Sequence, residues 1–219
     1  MPLQKVSFGS LIAKKGTFMA YVYLSLAFQI AITAFVATYL RQHQSIFKEV
    51  HKYFLLWFVL SLSLIMILSL VQLPTPIKFI VLCMFSFVMG LNSIAASKLV
   101  SEQLIKAVIV ATFCLFIVMT LLGFGLAMLG INLGFLSYIL LCALIGLLVA
   151  FVAMWFIPVQ KTLYKTVLVI GITLFSIYIA YDTNVILQKE YSGDFISATI
   201  NIYLDILNIF TEMIAFNHN

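Results

Sequence analysis

The sequence predicts an all-α membrane protein, a bundle of seven transmembrane helices with the last helix at its centre. Of the 219 residues, 64% are hydrophobic and 9% are charged, whereas soluble proteins carry about 25% charged residues. Seven apolar stretches are long enough for a helix to cross the hydrocarbon core, which takes about 20 residues. The last stretch also carries a polar face, which has to be kept away from lipid.

Turns separate the seven predicted helices. The polar stretch RQHQSIFKEVHK follows the first helix and is predicted to be a loop. Pro74 and Pro76 separate the second helix from the third, because proline cannot extend a helix. Gly130 to Gly134 forms a short hairpin after the fourth helix, and Pro158 ends the fifth. The predicted helices cover residues 18–40, 53–73, 77–97, 104–129, 133–157, 163–187 and 195–216.

We expect residues 1–219 to form one transmembrane domain, since no linker, low-complexity tract or internal repeat divides the chain. The net charge of +5 comes from Lys and Arg at the ends of the apolar stretches. We therefore expect contact with the lipid bilayer and none with nucleic acid. These cations divide almost evenly between the two sides of the membrane, which leaves the orientation open.

The sequence shows no motif of a soluble-type enzyme. It holds no Ser/His/Asp set, glycine-rich phosphate loop or Cys/His cluster, so we expect neither enzymatic activity nor a cofactor. Cys83, Cys114 and Cys142 lie inside apolar stretches and have neither disulfide nor metal-site spacing. His43 and His51 lie in the polar loop, where we expect them to be solvated.

Small residues on one face of the third predicted helix allow another helix to approach closely. They are Ser86, Gly90, Ser93 and Ser97. This face predicts a packing seam, with the smooth wall of a permeation path as the alternative. Gly123 and Gly125 of the fourth helix are predicted to be close-packing sites.

The last predicted helix has one polar face along its whole length. At 100° per residue, five of its polar side chains fall within an arc of roughly 80°. They are Ser197, Asn201, Asp205, Asn208 and Glu212. Because the hydrocarbon core holds no water to satisfy these groups, the face must meet protein or a hydrated cavity. This argument places the last helix at the centre of the bundle.

Two aspartates on the last two helices are the strongest functional signal. An Asp at the centre of a membrane helix costs about 2.5 to 3.5 kcal/mol, and Asp182 and Asp205 both lie within apolar stretches. The short turn QKEYSGD makes the two helices antiparallel neighbours. At 1.5 Å per residue, Asp182 lies about 9 Å and Asp205 about 15 Å from that turn. We therefore expect the two carboxyl groups to interact, with the phenol of Tyr178 one turn from Asp182.

This pair predicts a proton sensor that is also a transient cation site. Two acids in a low-dielectric site cannot both ionise cheaply, so they should titrate as a unit. A hard ion such as Ca²⁺ needs several oxygen ligands, and protonation of Asp182 and Asp205 would compete with it. Further candidates for the ion path lie on the same two helices: Tyr178, Asn184, Asn201, Asn208 and Glu212.

A plainer alternative gives the two acids a purely structural role. In that case Asp182 pairs with Lys189 or Tyr178, and Asp205 pairs with an asparagine, to hold the helices together.

The end of the chain resembles the Bax inhibitor motif family. The pattern G-x₃-F-x₂-YIAYDTN begins at Gly171, and A-x₂-NIYLDILNIF follows the turn. In that family a Tyr-Asp-Thr step on the sixth helix is followed by an Asn-x-Tyr-x-Asp segment on the seventh. The stretch from FVMGLNS to LLGFG looks like the family's third and fourth helices, more loosely.

This resemblance implies a seven-helix bundle that acts as a pH-sensitive calcium leak. The two aspartates of the family share a hydrogen bond that responds to pH and gates the path, here Asp182 with Asp205. Eukaryotic and viral relatives are linked to suppression of apoptosis through calcium stores. A bacterial-type relative closes its pore with a second-helix arginine, but no Arg or Lys lies between Tyr53 and Gln72. Lys52 is therefore the candidate for the closed-state latch, unless the closed state is held differently.

Two other functional classes also use intramembrane acids. Presenilin-type aspartyl proteases place their second acid in Gly-x-Gly-Asp, whereas Ile202, Tyr203 and Leu204 precede Asp205 here. A proton-coupled transporter uses acids as proton relays, but the inverted repeats typical of transporters are not visible.

We therefore expect a calcium leak channel with Ca²⁺ and protons as its partners, working as a monomer. Its membrane is expected to be the bacterial inner membrane in a prokaryote, and otherwise that of the endoplasmic reticulum or Golgi.

Overall fold

The computed structural model describes the backbone of residues 8–97, 100–188 and 193–218. These residues form eight α-helices and one short 3₁₀ turn, with no strand among them. The α-helices are α1 (Phe8–Gln42), α2 (Gln44–Lys52), α3 (Phe54–Leu70), α4 (Thr75–Ser97), α5 (Glu102–Met128), α6 (Ser137–Phe156), α7 (Lys161–Gln188) and α8 (Phe195–His218).

The prediction of an all-α membrane protein is confirmed. Six helices of the described chain are each long and apolar enough to cross a membrane. The second predicted span is α3, which has 17 residues. It follows α2 after a bend of 68°, and the bent pair counted as one span brings the total to seven.

The predicted polar loop after the first helix is wrong, because most of it forms the short helix α2. Phe47 and Val50 are three positions apart and therefore share one face of this helix. Both pack against a buried cluster of Val36, Leu40 and Leu91. The polar side chains of α2 point away from that cluster, so the helix is amphipathic.

The other helices differ from the prediction mainly at their ends. α1 begins at Phe8 rather than at residue 18, since no proline interrupts FGSLIAKKGTF. α6 begins at Ser137, and residues 133–136 form the 3₁₀ turn instead. There the Asn132 side chain accepts a hydrogen bond from the backbone N–H of Gly134 at 2.7 Å. Gly130 ends α5 with φ 76, a left-handed conformation that glycine adopts readily.

The chain forms two compact units. One contains residues 18–101, with most of α1 and all of α2, α3 and α4, together with the start of α8 as far as Tyr203. The other contains α5, α6 and α7, together with α8 from Leu204 onwards and the beginning of α1.

Glycines mark close helix contacts within each unit. A β-carbon at Gly90 of α4 would lie 2.7 Å from Cβ of Val36 on α1, as the predicted packing seam requires. A β-carbon at Gly123 of α5 would collide with the carbonyl oxygen of Ala180 on α7. Gly125 has no such neighbour within 4 Å, so its predicted packing role is wrong.

The last helix is the most buried of the candidate spans, in agreement with its predicted central position. In its most apolar window 56% of the residues are buried, against 11% to 39% in the other five. The face opposite the polar stripe is almost entirely enclosed by protein. Its buried members are Ile196, Ile200, Tyr203, Leu207 and Ile214.

Candidate functional site

The carboxyl groups of Asp182 on α7 and Asp205 on α8 meet in a hydrogen-bonding contact. Both side chains are buried, at 7% and 6% exposure. A carboxylate only accepts hydrogen bonds, so one of the two groups must carry a proton for the contact to form. Oδ2 of Asp205 is buried and has no hydrogen-bond partner among the described residues. The arrangement therefore suits a pair that holds one proton between them.

Tyr178 lies beside this pair, one turn before Asp182 on α7. Its phenol is close enough to interact electrostatically with both carboxyl groups. Its ring meets that of Tyr181 edge to face, with the ring centroids 6.2 Å apart. A side-chain hydrogen bond joins Tyr181 to Ser137 at the start of α6. The Tyr178 ring therefore packs on a tyrosine that is itself bonded to α6.

Asn184 holds the connection between α5 and α6 instead of facing the acids. Its amide nitrogen donates to the carbonyl oxygens of Gly123 at 3.3 Å and Ile131 at 3.0 Å. Its oxygen accepts from the backbone N–H of Leu133 and from Gln188, both at 2.9 Å. An asparagine amide has two donor hydrogens and two acceptor lone pairs, so all of its capacity is used. This geometry argues against the predicted ion-path role of Asn184.

The polar face of α8 passes from an accessible position to buried ones. Asn201 is exposed, Ser197 and Asn208 are half-buried, and Asp205 and Glu212 are buried. Exposure on this face is therefore greatest at Asn201 and lowest at the two acids.

Glu212 is a third buried carboxyl group on that face. It lies seven residues after Asp205, about 10 Å along the helix axis. Its carboxyl group occupies the space that a β-carbon at Gly171 of α7 would take. Its Oε2 atom is buried and has no hydrogen-bond partner within the described chain. Tyr164 of α7 is the neighbouring titratable group that its charge reaches.

Lys52, the predicted latch, lies at the end of α2 with its side chain exposed. Its ammonium group is 5.5 Å from the centre of the Tyr53 ring, a cation–π distance. Lys189, proposed as an alternative partner of Asp182, lies outside the described residues. The described part of the chain contains no group of three or more His, Cys, Asp or Glu side chains able to hold a metal ion.

An ion pair at the start of α8 was not predicted from the sequence. The buried ammonium of Lys78 on α4 lies 2.6 Å from Oδ2 of Asp194 and 2.8 Å from the Ser197 hydroxyl oxygen. Oδ1 of Asp194 also accepts the backbone N–H of Ser197 at 3.1 Å, as a helix N-cap does. An Asp immediately before an apolar segment was the available signal.

This environment changes the acidity of Asp194, which lies between the last two membrane helices. Partial burial alone would raise the pKa of its carboxyl group. The hydrogen bonds from Lys78 and Ser197 and the positive charge of Lys78 outweigh that effect, so the pKa is lowered from its ordinary value. Asp194 therefore stays ionised and paired at neutral pH.

A buried polar network in the same unit was also missed, because Tyr203 was assigned to the apolar face of the last helix. The Tyr203 hydroxyl shares a short hydrogen bond with Thr33 of α1. Thr33 donates to the backbone oxygens of Gln29 and Ser86, and Ser86 donates to the Gln29 side chain at 2.7 Å. The network ties α1, α4 and the first half of α8 together. The spacing of Gln29 and Thr33, four residues apart, was its sequence signal.

Known proteins resemble this chain over most of its length. LIFEGUARD 1 of Arabidopsis thaliana is 26% identical over 208 residues, which cover 92% of this chain and 88% of that protein. LIFEGUARD 4 of the same plant is 25% identical over 204 residues, covering 90% and 83%. Bax inhibitor 1 of Schizosaccharomyces pombe is 26% identical over 201 residues, covering 90% and 74%.

A family model described as "Inhibitor of apoptosis-promoting Bax1" matches residues 15–217. This match covers all the transmembrane helices, including the acids on α7 and α8. The resemblance found at the end of the sequence therefore extends along the chain, which belongs to the Bax inhibitor family of multi-pass membrane proteins.

Proposed function

We propose that this protein is a calcium leak channel whose path is gated by protonation of Asp182 and Asp205. The observation that supports the proposal most strongly is the contact between the two buried carboxyl groups. Loss of the shared proton would leave two carboxylates facing each other at low dielectric, where their repulsion is much larger than in water. The pair is therefore a two-state element that pH can bias.

The same pair supplies the chemistry for the ion. When both carboxyl groups are ionised, they present hard oxygen ligands of the kind that Ca²⁺ prefers. Asn201 and Asn208 on the accessible face of α8 are the path residues that we retain from the sequence analysis, together with Tyr178. Calcium and protons then compete for the carboxylates, which links ion passage to pH without a second sensor.

Calcium flux in liposomes that hold only this protein is the direct test. The proposal predicts calcium entry well above that of empty liposomes, driven by the calcium gradient alone. Flux no greater than that of empty liposomes, with correctly folded protein shown by circular dichroism, would remove the channel from consideration.

Glu212 favours a second candidate, a proton-coupled transporter. It adds a third buried acid about two turns beyond Asp205 on the same helix face, and intramembrane acids serve as proton relays in transporters. A transporter would accumulate a solute against its gradient when a proton gradient is imposed, whereas a leak would only dissipate the calcium gradient.

We also propose a setting for this activity. We propose that the protein works as a monomer in the inner membrane of a bacterium, or in the endoplasmic reticulum or Golgi membrane of a eukaryote. The name of the relative Bax inhibitor 1 refers to the cell-death protein Bax, and a calcium leak would influence cell death through the calcium content of a store. Lys52 remains the proposed latch of the closed state.

A further inference from the structure

The bend between α2 and α3 places a basic surface at the edge of the membrane. α2 meets α3 at 68°, so it cannot continue along the direction of the span. Its apolar residues Phe47 and Val50 pack inward, while Lys48 and Lys52 are exposed. Short amphipathic helices of this kind lie in the headgroup region of a bilayer.

The charge of this segment is predominantly positive. Between Arg41 and Lys52 the chain has three permanent cations and one carboxylate, that of Glu49. Arg41 already donates to the backbone oxygen of Val100 at 3.0 Å, which leaves the two exposed lysines of α2 to face the surroundings. Lysines in this position attract anionic headgroups.

An apolar groove lies in the same unit, formed by α1, α3 and α4. Its volume is about 470 Å³, which is within the range of ligand pockets, about 300 to 1,000 Å³. Its walls include Ile32, Trp57, Leu60, Leu64, Met84 and Phe87. The lining is almost wholly apolar, so in a bilayer the natural occupant is a hydrocarbon chain rather than water.

Trp57 connects the groove to the apolar face of α2. Its ring lines the groove, and its indole N–H donates to the backbone oxygen of Val50 on α2 at 3.1 Å. Leu60 and Leu64 follow on the same face of α3 at spacings of three and four residues. The groove therefore starts next to α2 and extends about 10 Å along α3 into the hydrocarbon region.

We propose that this surface binds an anionic phospholipid, with the headgroup on Lys48 and Lys52 and one acyl chain in the groove. Charge complementarity selects the headgroup, and the apolar lining selects the chain. The site lies entirely within residues 18–101, in the unit that does not contain Asp182 and Asp205. The bound lipid would contact α1, α3 and α4. This binding does not depend on which ion the protein conducts.

Tryptophan fluorescence tests the proposal, because Trp57 lines the groove and the chain has two tryptophans. The Trp155→Phe variant leaves Trp57 as the single emitter. It is reconstituted in phosphatidylcholine vesicles that contain a small fraction of brominated phosphatidylglycerol, or the same fraction of brominated phosphatidylcholine. We expect several-fold stronger quenching by the anionic lipid. If the variant does not fold, the difference between wild type and Trp57→Phe gives the same quantity.

Charge variants identify the headgroup site. Replacing Lys48 and Lys52 by Gln should lower the preference for the anionic lipid by about fivefold for each lysine. Lys106→Gln is the matched control, since Lys106 is an exposed lysine of α5 at 72% exposure. It should leave the preference unchanged.

Three results would overturn the proposal. Equal quenching by the two brominated lipids would show that the surface selects no headgroup. A preference that survives the double lysine substitution would place the headgroup elsewhere. Loss of the preference on adding free glycerol 3-phosphate at millimolar concentration would mean that the surface binds a soluble phosphate rather than a lipid.

Discussion

Gly171 of α7 provides the space in which the carboxyl group of Glu212 from α8 is packed. A β-carbon at this glycine would lie 2.6 Å from Cδ of Glu212, closer than packed carbon atoms approach. The absence of a side chain at one helix position thus determines where a buried acid can lie on the next helix.

This relationship predicts a strong coupling between the two positions. Gly171→Ala should lower the free energy of unfolding by about 1 to 3 kcal/mol, because the new methyl group overpacks the contact. In a Glu212→Ala background, which lacks the carboxyl group, Gly171→Ala should lower the free energy of unfolding by much less. Thermal unfolding in detergent micelles measures both effects. Gly125→Ala is the matched control, because no atom lies within 4 Å of its new β-carbon; additive costs at positions 171 and 212 would disprove the contact.

The ion pair at the start of α8 predicts a pH-dependent stability. Asp194→Asn leaves the buried Lys78 without its charged partner. We expect a loss of about 1 to 2 kcal/mol at neutral pH, less than the 3 to 5 kcal/mol of a fully buried pair, because solvent screens the partly exposed Asp194.

The sign of the pH effect follows from the lowered pKa of Asp194. Its contribution is fully present above the unfolded-state pKa of about 3.9, and it is lost as the pH falls through the lower pKa of the folded state. The stability difference between wild type and Asp194→Asn should therefore shrink only in acid. Glu102→Gln, which breaks an exposed ion pair with Lys106, should change stability little at any pH. A difference that stays constant into acid would contradict the pairing.

Asn184 is predicted to matter for folding and not for ion passage. Asn184→Ala removes the acceptor of the Leu133 N–H and a donor to the carbonyl oxygens of Gly123 and Ile131. The Ile131 oxygen keeps its hydrogen bond from Gln188 at 2.9 Å. A buried polar group that loses its hydrogen bond costs about 1 to 3 kcal/mol, so we expect unfolding to become easier by about 3 kcal/mol. Chemical denaturation checks this value. Unchanged stability would show that the amide is not needed to hold the α5–α6 connection.

Asn201 gives the opposite expectation. It is exposed on the polar face of α8, so Asn201→Ala should leave stability within about 0.5 kcal/mol of wild type. If this face lines the path, the same substitution should change calcium flux in liposomes. Flux equal to that of wild type would exclude Asn201 from the path.

The helices were predictable because apolar length dominates the signal in a membrane protein. Seven stretches were long enough to span, and each became a helix. α2 was missed because its apolar positions, such as Phe47 and Val50, are separated by charged residues that resemble a loop. The spacing of these two residues on one helix face was the signal. The face is buried, however, only because it packs against a cluster that includes residues from distant parts of the chain.

The site was predictable where the free-energy cost of burying a charged group in the membrane was enough to identify the residues. Asp182 and Asp205 are acids in apolar stretches, and a short turn required their helices to be neighbours. Asn184 looked equally polar, yet its partners are backbone groups of a connection more than fifty residues away. The Lys78 and Asp194 pair likewise joins residues 116 positions apart. Which polar groups meet at such separations depends on the packing of helices, and no local pattern records it.

The pH dependence of calcium flux tests the gate most directly. Liposomes with wild-type protein, Asp182→Asn or Asp205→Asn are compared from about pH 5 to about pH 8, a range in which most folded proteins are stable. We predict that wild-type flux changes across this range, and that either substitution removes the change because an amide cannot exchange the shared proton. Flux whose pH dependence survives both substitutions would contradict the gate that we assign to Asp182 and Asp205.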